Sequence, residues 1–225
     1  MIIPVILEKT FEGLFERVAI LDGIAPLIQI DLADGVLVEG KTYLDLEKIL
    51  ETVKKSQVEL HFMVEDPLKY LEALQTMPGK DKVRKVSTQI VKDSPSEVLS
   101  SFLTKSKNMD LEEGLSLNPE TPLTLLQPYI KNLNFIQFVA VTPGKQGGIL
   151  QPETIEKITQ ARRLFPNTTL QVDGGIKKEN IMEVLQAGVD NVVIGSGIFG
   201  ERDPVSAYKE FVSIEKSYRN SANQD

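Results

Sequence analysis

The sequence predicts an α/β protein that folds as a single (β/α)8 TIM barrel, and three observations support this fold class. Short β-branched runs alternate with longer segments of helical period from one end of the chain to the other. Eight such runs can be recognised in 225 residues, which leaves about 28 residues for each unit, the size of a βα repeat. Strict alternation of the two element types implies a parallel sheet, and a closed barrel is its simplest form.

The predicted elements follow one another in a regular order. The strands are runs rich in Val, Ile, Leu and Phe, and the helices are amphipathic segments between them. The predicted strands are Ile2–Leu7, Leu27–Asp31, Val58–His61, Val83–Val86, Gly114–Leu117, Phe135–Val139, Thr169–Val172 and Asn191–Ile194. The predicted helices include Leu44–Lys55, Pro67–Gln75, Ser96–Ser106, Thr154–Leu164, Lys178–Ala187 and Val205–Tyr218.

Four helix starts carry a capping residue followed by proline. A capping side chain accepts a hydrogen bond from the first turn, and proline at the first helical position gives up an N–H that has no partner there. These pairs are Asp66-Pro67, Ser94-Pro95, Thr121-Pro122 and Asp203-Pro204. Residues 1–225 are predicted to form one domain, with only the tail Ser221–Asp225 frayed.

Composition excludes several classes of function. With 32 acidic and 25 basic side chains, the formal charge of -7 repels nucleic acid and anionic membranes. The absence of cysteine excludes disulfides, thiolate nucleophiles and cysteine-type zinc sites. The first apolar run, Met1–Leu7, is broken by Pro4 and is too short for a signal sequence or a membrane span. We therefore expect a cytoplasmic protein with neither nucleic acid nor a membrane as partner.

Two aspartates end predicted strands, where a barrel places its catalytic groups. Side chains two residues apart in a strand lie on the same face, so Gln29 shares a face with Asp31 and Gln171 shares one with Asp173. Each of these faces can point into the barrel. Carboxylates that face each other across the barrel can take a proton from one side of a carbon and return one on the other, as epimerisation requires. The alternative is that an Asp before Gly only caps a helix or turn, which is the interpretation we give to Asp34.

His61 is the only histidine in the chain. A single histidine in an apolar strand is more often a hydrogen-bonded core residue than a ligand. Two nearby carboxylates make a ligand role for His61 more favourable. Together, Asp31, His61 and Asp173 would supply the three protein ligands that a catalytic metal ion usually takes, and one coordination position would stay open for substrate.

Glycines cluster after the last three predicted strands. Gly174-Gly175 and the segment 195–197 lie where barrels commonly bind phosphate with loop amides and a short helix N-terminus. Ordinary turn chemistry is the alternative for any one pair. The segment 142–151, which includes Gly144 and Gly147, exceeds the usual ~2 to 6 residues of a βα loop, and we interpret it as a lid.

These strand ends resemble those of the ribulose-phosphate 3-epimerase family over nearly the whole chain. Each motif is loose by itself, whereas six in the family's order are specific for its fold. The motifs are Asp31-Leu-Ala-Asp-Gly35, Leu60-His-Phe-Met63, Leu115-Ser-Leu-Asn-Pro-Glu-Thr-Pro122, Val141-Thr-Pro-Gly144 followed by Gly147, Val172-Asp-Gly-Gly175 and Gly195-Ser196.

The resemblance implies a barrel that interconverts ribulose 5-phosphate and xylulose 5-phosphate. Asp31 and Asp173 would be the acid/base pair, and one divalent metal ion (Zn, Fe, Mn, Co or Mg) would hold the C2 and C3 oxygens of the substrate. His61 would be a metal ligand, and a homo-oligomer is expected. The substrate and its phosphate would contact Met63, Gly144, Gly147, Gly174, Gly175, Gly195 and Ser196.

The chain also departs from the family's pattern. Gln29 replaces a metal-binding histidine and could offer its amide oxygen, which would favour manganese or magnesium over zinc. Val5 replaces an active-site serine, and Ser87-Thr88-Gln89 stands where the family has His-x-Glu. The departures support a second hypothesis, a sugar-phosphate binding or regulatory barrel without catalysis.

Two further positions bear on these hypotheses. Ala33 and Val139 replace methionines that line the family's pocket. A decarboxylase of the orotidine-phosphate type would need lysine at position 33, so Ala33 argues against it.

Overall fold

The computed structural model describes residues 1–91, 94–141 and 148–222. The predicted fold class is confirmed: eight parallel strands form a closed barrel in which each strand pairs with its neighbours in chain order and β8 pairs with β1. The strands are β1 Ile2–Ile6, β2 Leu27–Ala33, β3 Gln57–Met63, β4 Val83–Ile90, β5 Glu112–Leu117, β6 Phe135–Val139, β7 Thr169–Asp173 and β8 Asn191–Ile194.

Helices surround this barrel. Every strand except β5 is followed by at least one α-helix, and β8 is followed by two. The helices are α1 Phe11–Leu21, α2 Leu46–Thr52, α3 Pro67–Gln75, α4 Ser96–Asn108, α5 Pro152–Leu164, α6 Ile181–Gln186, α7 Ser196–Phe199 and α8 Pro204–Ala222. Among the described residues, no helix has both the length and the apolar composition that crossing a bilayer requires.

The two aspartate caps are confirmed and the other two predicted caps are wrong. Asp66 and Asp203 each accept a hydrogen bond from the backbone N–H three residues on. Ser94 instead accepts from the N–H of Val91 and closes a turn before α4. After Thr121 the chain forms 3-10 helices at Leu123–Leu126 and Ile130–Asn132, because Pro128 has no N–H to continue an α-helix.

The first helix was not predicted, and the last helix is longer than predicted. The helix α1 was not among the predicted helices, although Thr10 caps it by accepting from the N–H of Gly13 and its buried residues follow a helical spacing. At the other end, α8 continues to Ala222. Ser221, expected to be frayed, is therefore helical, and its hydroxyl donates to the carbonyl of Ser217; residues 223–225 lie outside the described part.

The apolar core lies mainly between the barrel and the helices. Outward-facing strand residues such as Ile28, Ile30 and Val192 pack against the helices in one large cluster. The barrel interior differs, because its buried side chains include many polar and charged ones. They come from alternate positions of six strands, namely Gln29, Asp31, Glu59, His61, Lys85, Ser87, Gln89, Ser116, Gln137, Gln171 and Asp173. This polar interior forms the site described below.

Gly114 in β5 lies against the ring of Phe135, and a Cβ built on it would come within 2.5 Å of that ring. The ring is fully buried in the barrel and has little room to move. We therefore expect Gly114→Ala to destabilise the protein by about 1 to 3 kcal/mol, which lowers the melting temperature by roughly 2 to 4 °C per kcal/mol. Gly13→Ala, in α1, is the matched control: its Cβ would lie 2.9 Å from Glu8 Oε2, the end of a flexible side chain that can move away. Because alanine favours a helix, we expect no comparable fall in the melting temperature. An unchanged melting temperature for Gly114→Ala would contradict this packing.

Asp22, at the end of α1, holds the segment between α2 and β3. Its carboxylate accepts hydrogen bonds from the backbone N–H groups of Lys54, Lys55 and Ser56 at 3.0, 3.0 and 2.8 Å. Partial burial alone would raise the pKa of Asp22, but these hydrogen bonds outweigh it and the pKa lies below its ordinary value. The charged form is therefore the one that stabilises the fold.

Asp22→Asn should lower the free energy of unfolding by about 1 to 2 kcal/mol at neutral pH, since a charged acceptor is replaced by a neutral one. Because the folded-state pKa is lowered, the contribution is present above the unfolded value of about 3.9 and is lost as the pH falls through the folded value. Urea unfolding of both proteins across this range measures the difference. Asp81→Asn, at an exposed position, is the control; a gap that persists at the lowest pH would argue against a charge effect.

Candidate active site

Asp31, His61 and Asp173 come together inside the C-terminal end of the barrel. Asp31 in β2 lies directly beside His61 in β3, and Asp173 ends β7. The side-chain atoms that could bind a metal ion all lie within 4.8 Å of one another. All three residues are buried, and they lie on inward faces of their strands, as the alternation of side chains along a strand predicts.

Gln29 lies between the two carboxylates. Its amide nitrogen donates to Asp31 Oδ1 and to Asp173 Oδ2, at 2.8 Å each. Its amide oxygen faces the other way and accepts from Gln171 Nε2 at 3.3 Å. The oxygen that we expected Gln29 to offer a metal ion is thus turned away, because Asp31 Oδ1 and Asp173 Oδ2 both accept from its NH2 group.

His61 has polar neighbours at both ring nitrogens. Nδ1 lies 3.2 Å from Asp31 Oδ1 and 3.1 Å from Gln137 Nε2. Nε2 lies 3.3 Å from Gln89 Oε1, and Gln89 in turn donates to Asn118 Oδ1. The ring is therefore oriented by side chains from four other strands or strand ends.

The surroundings shift the proton affinities of this cluster. Burial, together with the charge of Asp31, raises the pKa of Asp173 to about 8. Burial alone would lower the pKa of His61, but the hydrogen bond and charge of Asp31 outweigh it and the pKa is raised. Asp173 therefore holds a proton more tightly than an ordinary carboxyl group, as an acid catalyst near neutral pH requires.

A buried ion pair lies further inside the barrel. Lys85 Nζ is 2.8 Å from Glu59 Oε2 and donates to Gln171 Oε1 at 2.6 Å. It also lies 3.8 Å from the centroid of the Phe135 ring. Both charged residues are almost fully buried, and each compensates the other in a region without water contact.

The donor set of the cluster fits a divalent metal ion. Two carboxylates and one imidazole are typical ligands of catalytic metal sites, which use three protein ligands and leave a position for substrate. Asp31 and Asp173 also place two acidic groups in one buried site, where a cation would compensate their charge.

Apolar residues line part of the same end of the barrel. Met63, predicted to contact substrate, is buried with Ala33 and Val38 in a small cluster. Val5 lies near Gly195, where an added Cβ would be 3.2 Å from Val5 Cγ1. Asp34 stays outside the site, as expected, because it accepts from the N–H of Val36 in a turn.

The glycines predicted to bind phosphate lie at the ends of β7 and β8. Gly174 and Gly175 have φ values of 105° and 71°, and a Cβ on Gly175 would lie 2.4 Å from the backbone nitrogen of Leu150. Gly195 caps α7 and Ser196 begins it. A cleft of about 350 Å³ opens beside Ser196.

Little of the segment 142–151 belongs to the part of the chain that the structure describes. Gly144 and Gly147 lie outside the described residues, as does most of the segment 142–151 that we interpret as a lid. From its end, Gln151 donates its backbone N–H to the carbonyl of Ala140.

Sequence reasoning missed three residues of the interior, namely Lys85, Gln89 and Gln137. The prediction ended β4 at Val86, whereas the strand continues to Ile90 and carries Gln89 into the site. The signal that could have found them is the spacing by two of Lys85, Ser87 and Gln89 in β4 and the single polar residue Gln137 in β6, which are inward positions.

Comparison with known proteins agrees with this site. The sequence model of the family described as "Ribulose-phosphate 3 epimerase family" matches residues 1–199. A ribulose-phosphate 3-epimerase of Synechocystis sp. is 31% identical over 206 residues, covering 88% of this chain and 87% of the relative. Ribulose-phosphate 3-epimerase 2 of Cupriavidus necator is 29% identical over 216 residues, covering 92% of this chain and 87% of the relative.

Solved structures support the fold alone. A mutant tryptophan synthase alpha-subunit from Pyrococcus furiosus superimposes with a TM-score of 0.70 at 18% identity, covering 96% of this chain and 97% of that one. Because the family match spans most of the chain, this chain belongs to the ribulose-phosphate 3-epimerase family.

Proposed function

We propose that this protein is a ketose-phosphate 3-epimerase that interconverts D-ribulose 5-phosphate and D-xylulose 5-phosphate. One observation carries the proposal: Asp31 and Asp173, from strands far apart in the sequence, face one buried site and are bridged by a single amide group of Gln29. Family membership and the names of the relatives support the choice of substrate.

Two carboxyl groups suit inversion at a carbon next to a ketone. One of Asp31 and Asp173 takes the C3 proton, and the other returns a proton from the opposite side. Without a cation in the site, burial and the charge of Asp31 raise the pKa of Asp173 to about 8, which suits this group to hold and return a proton. Because the reaction runs in both directions, the two groups exchange the roles of base and acid between them.

The chemistry also needs strong electrostatic stabilisation. The proton next to a ketone lies roughly 15 pKa units above an aspartic acid, a gap of about 20 kcal/mol at ~1.36 kcal/mol per unit. A divalent metal ion held by Asp31, His61 and Asp173 would supply positive charge beside the developing oxyanion. Gln29 and Gln137 contribute by holding the Asp173 carboxylate through their N–H groups.

The remaining roles concern binding of the substrate. Met63, with the apolar side chains around it, excludes water from one side of the sugar. Backbone amides of Gly174, Gly175, Gly195 and Ser196 bind the phosphate, since glycines at positive φ and a helix start both expose N–H groups. Gly144 and Gly147 are proposed to complete this phosphate site from the segment 142–151.

Three further proposals concern the protein's surroundings. We propose that it works in the cytoplasm, the compartment named for a rice relative described as a cytoplasmic isoform, and that it forms a homo-oligomer. Its charge of -7 argues against nucleic acid as a partner.

A second candidate function is binding of a sugar phosphate without turnover. It is favoured by Gln29, which fills the space between the carboxylates with an NH2 group where the resembling family has a metal-binding histidine. Under this alternative, ribulose 5-phosphate should raise the melting temperature as any ligand of the folded state does, with no product formed.

The decisive experiment follows the conversion of ribulose 5-phosphate to xylulose 5-phosphate by ¹³C NMR with Mn, Mg, Zn, Fe or Co added. The proposal predicts that the two epimers reach equilibrium from either side. A thermal shift without conversion would favour the binding protein. Neither a shift nor conversion with any ion would rule out both functions.

A further inference from the structure

The loop 118–122 joins β5 to two 3-10 helices and is short of hydrogen-bond donors. Pro119 and Pro122 have no N–H, and the N–H of Thr121 is used within the loop, where it donates to the carbonyl of Asn118. Asn118 and Thr121 are buried, so their carbonyl groups have little access to water and need donors from the protein. The loop therefore depends on another part of the chain.

Lys157 in α5 supplies these donors. Its Nζ donates to the carbonyl groups of Asn118 and Thr121 at 3.2 and 2.8 Å, and also to that of Pro119. An ammonium group has three donors, and the three carbonyl groups use all of them. Because α5 follows β6, this contact ties the end of β5 to the helix of the next strand. Lys157 thus holds the loop and has no donor left for a substrate.

Asn118 connects this loop to the active site. Its Oδ1 accepts from Gln89 Nε2, and the other end of the Gln89 amide, Oε1, lies 3.3 Å from His61 Nε2. Gln89 and Asn118 are only 3% and 8% exposed, so water has little access to replace either contact. The position of Asn118 therefore determines where the Gln89 amide lies beside His61.

We propose that Lys157 is a positioning residue of the active site: by fixing the loop 118–122 it places Asn118, and Asn118 holds Gln89 against His61. The alternative is that Lys157 only ties a helix to a loop and affects stability alone. The catalytic meaning of the inference rests on the proposed function, because the outer partners of a metal-binding histidine tune metal affinity and rate. The contacts themselves can be measured without turnover.

Lys157→Met keeps the length of the side chain and removes its donors. Hydrogen exchange of the Gln89 side-chain NH2 group, recorded on the full-length ¹⁵N-labelled protein, reports on the contact with Asn118; its signals are identified by their absence from Gln89→Glu. We expect exchange about 5-fold faster in Lys157→Met, the change that corresponds to loss of one hydrogen bond of average strength. The same exchange rate in Lys157→Met and the wild type would overturn the proposal.

Two variants complete this measurement. Asp22→Asn lowers stability at the opposite end of the barrel and should leave the exchange of Gln89 unchanged, so it controls for a general loss of stability. Lys157→Gln is the milder change, because one NH2 group has only two donors for three carbonyl groups. It should accelerate the exchange of Gln89 by a smaller factor, and it keeps the test decisive if Lys157→Met does not fold, since an unchanged rate would again overturn the proposal.

Turnover tests the same route with a double-mutant cycle. Lys157→Met should lower kcat by about 10-fold, with KM changed much less, whereas Lys69→Met, at an exposed position of α3, should leave kcat unchanged. Asn118→Ala breaks the route at its next member but keeps the carbonyl group that Lys157 contacts. In that background Lys157→Met should change kcat by less than about 2-fold, because both substitutions act on one chain of contacts.

The outcomes separate this inference from the proposed function. A full loss of kcat from Lys157→Met in the Asn118→Ala background would overturn the route through Asn118. Absence of epimerisation together with faster exchange of Gln89 in Lys157→Met would contradict the proposed function and leave the positioning role in place. An unchanged exchange rate in a protein that epimerises its substrate would do the reverse.

Discussion

Asp173→Asn should lower kcat by about 10²- to 10⁴-fold, the range associated with loss of a general acid or base. Asparagine has nearly the same shape, but it can neither hold nor release the proton that C3 requires. Its amide can still occupy the place beside Gln29 Nε2 and Gln137 Nε2, so the fold should be retained. Initial rates in both directions, with circular dichroism of the same samples, measure the effect.

The matched control is Asp81→Asn, which changes an exposed aspartate that precedes β4, at the end of the barrel away from the site. Its kcat should equal that of the wild type. If Asp173→Asn kept kcat within a few-fold of the wild type, Asp173 could not be one of the two catalytic carboxyl groups. Asp31→Asn should give a loss of similar size for the same reason.

Removal of divalent ions should lower the epimerase rate by at least about 10²-fold, since the developing oxyanion would lose its main source of positive charge. Adding back the correct ion should restore the rate and raise the melting temperature, because the ion binds the folded state. The measurement is metal content, rate and melting temperature before and after chelation.

His61→Gln serves as the matched variant for this experiment, since it removes one proposed ligand from a buried position. It should weaken metal binding and need a higher ion concentration for the same rate. Equal activity of the chelated and the metal-loaded wild type would show that His61 has no role as a ligand.

The barrel could be predicted from the sequence because its outward strand faces are apolar and its connections are amphipathic helices. The residues Asp31, His61 and Asp173 could be found because they end predicted strands, where a barrel gathers its functional groups. Each of these signals is local. The structure adds only that the three side chains meet.

The parts that were missed have a common physical cause. In β4, the inward residues Lys85, Ser87 and Gln89 are polar. A prediction that expects apolar inward residues therefore ends this strand at Val86 and assigns the rest to a loop. The burial of Lys85 and Gln89 is stable because other parts of the barrel supply partners, Glu59 for Lys85 and Asn118 for Gln89. Pairings of this kind depend on the closed barrel, which a single strand's sequence does not reveal.

Gln29 illustrates the same limit at the centre of the site. Its sequence position suggested a ligand oxygen, whereas the structure directs its nitrogen at both carboxylates. The direction follows from the two acceptor oxygens, Asp31 Oδ1 and Asp173 Oδ2, that face one end of the amide. An amide has a donor end and an acceptor end, and only the surrounding network determines which end faces the site.

The most direct test of the account is exchange of the substrate's C3 hydrogen with solvent. Wild-type protein is incubated with ribulose 5-phosphate and a divalent ion in deuterated water, and ¹H NMR follows the C3 signals of both epimers. We predict that deuterium enters C3 as xylulose 5-phosphate accumulates, and that Asp31→Asn and Asp173→Asn suppress both processes. Retention of the C3 hydrogen with every ketose phosphate and every ion tried would contradict the assignment of this site to epimerisation.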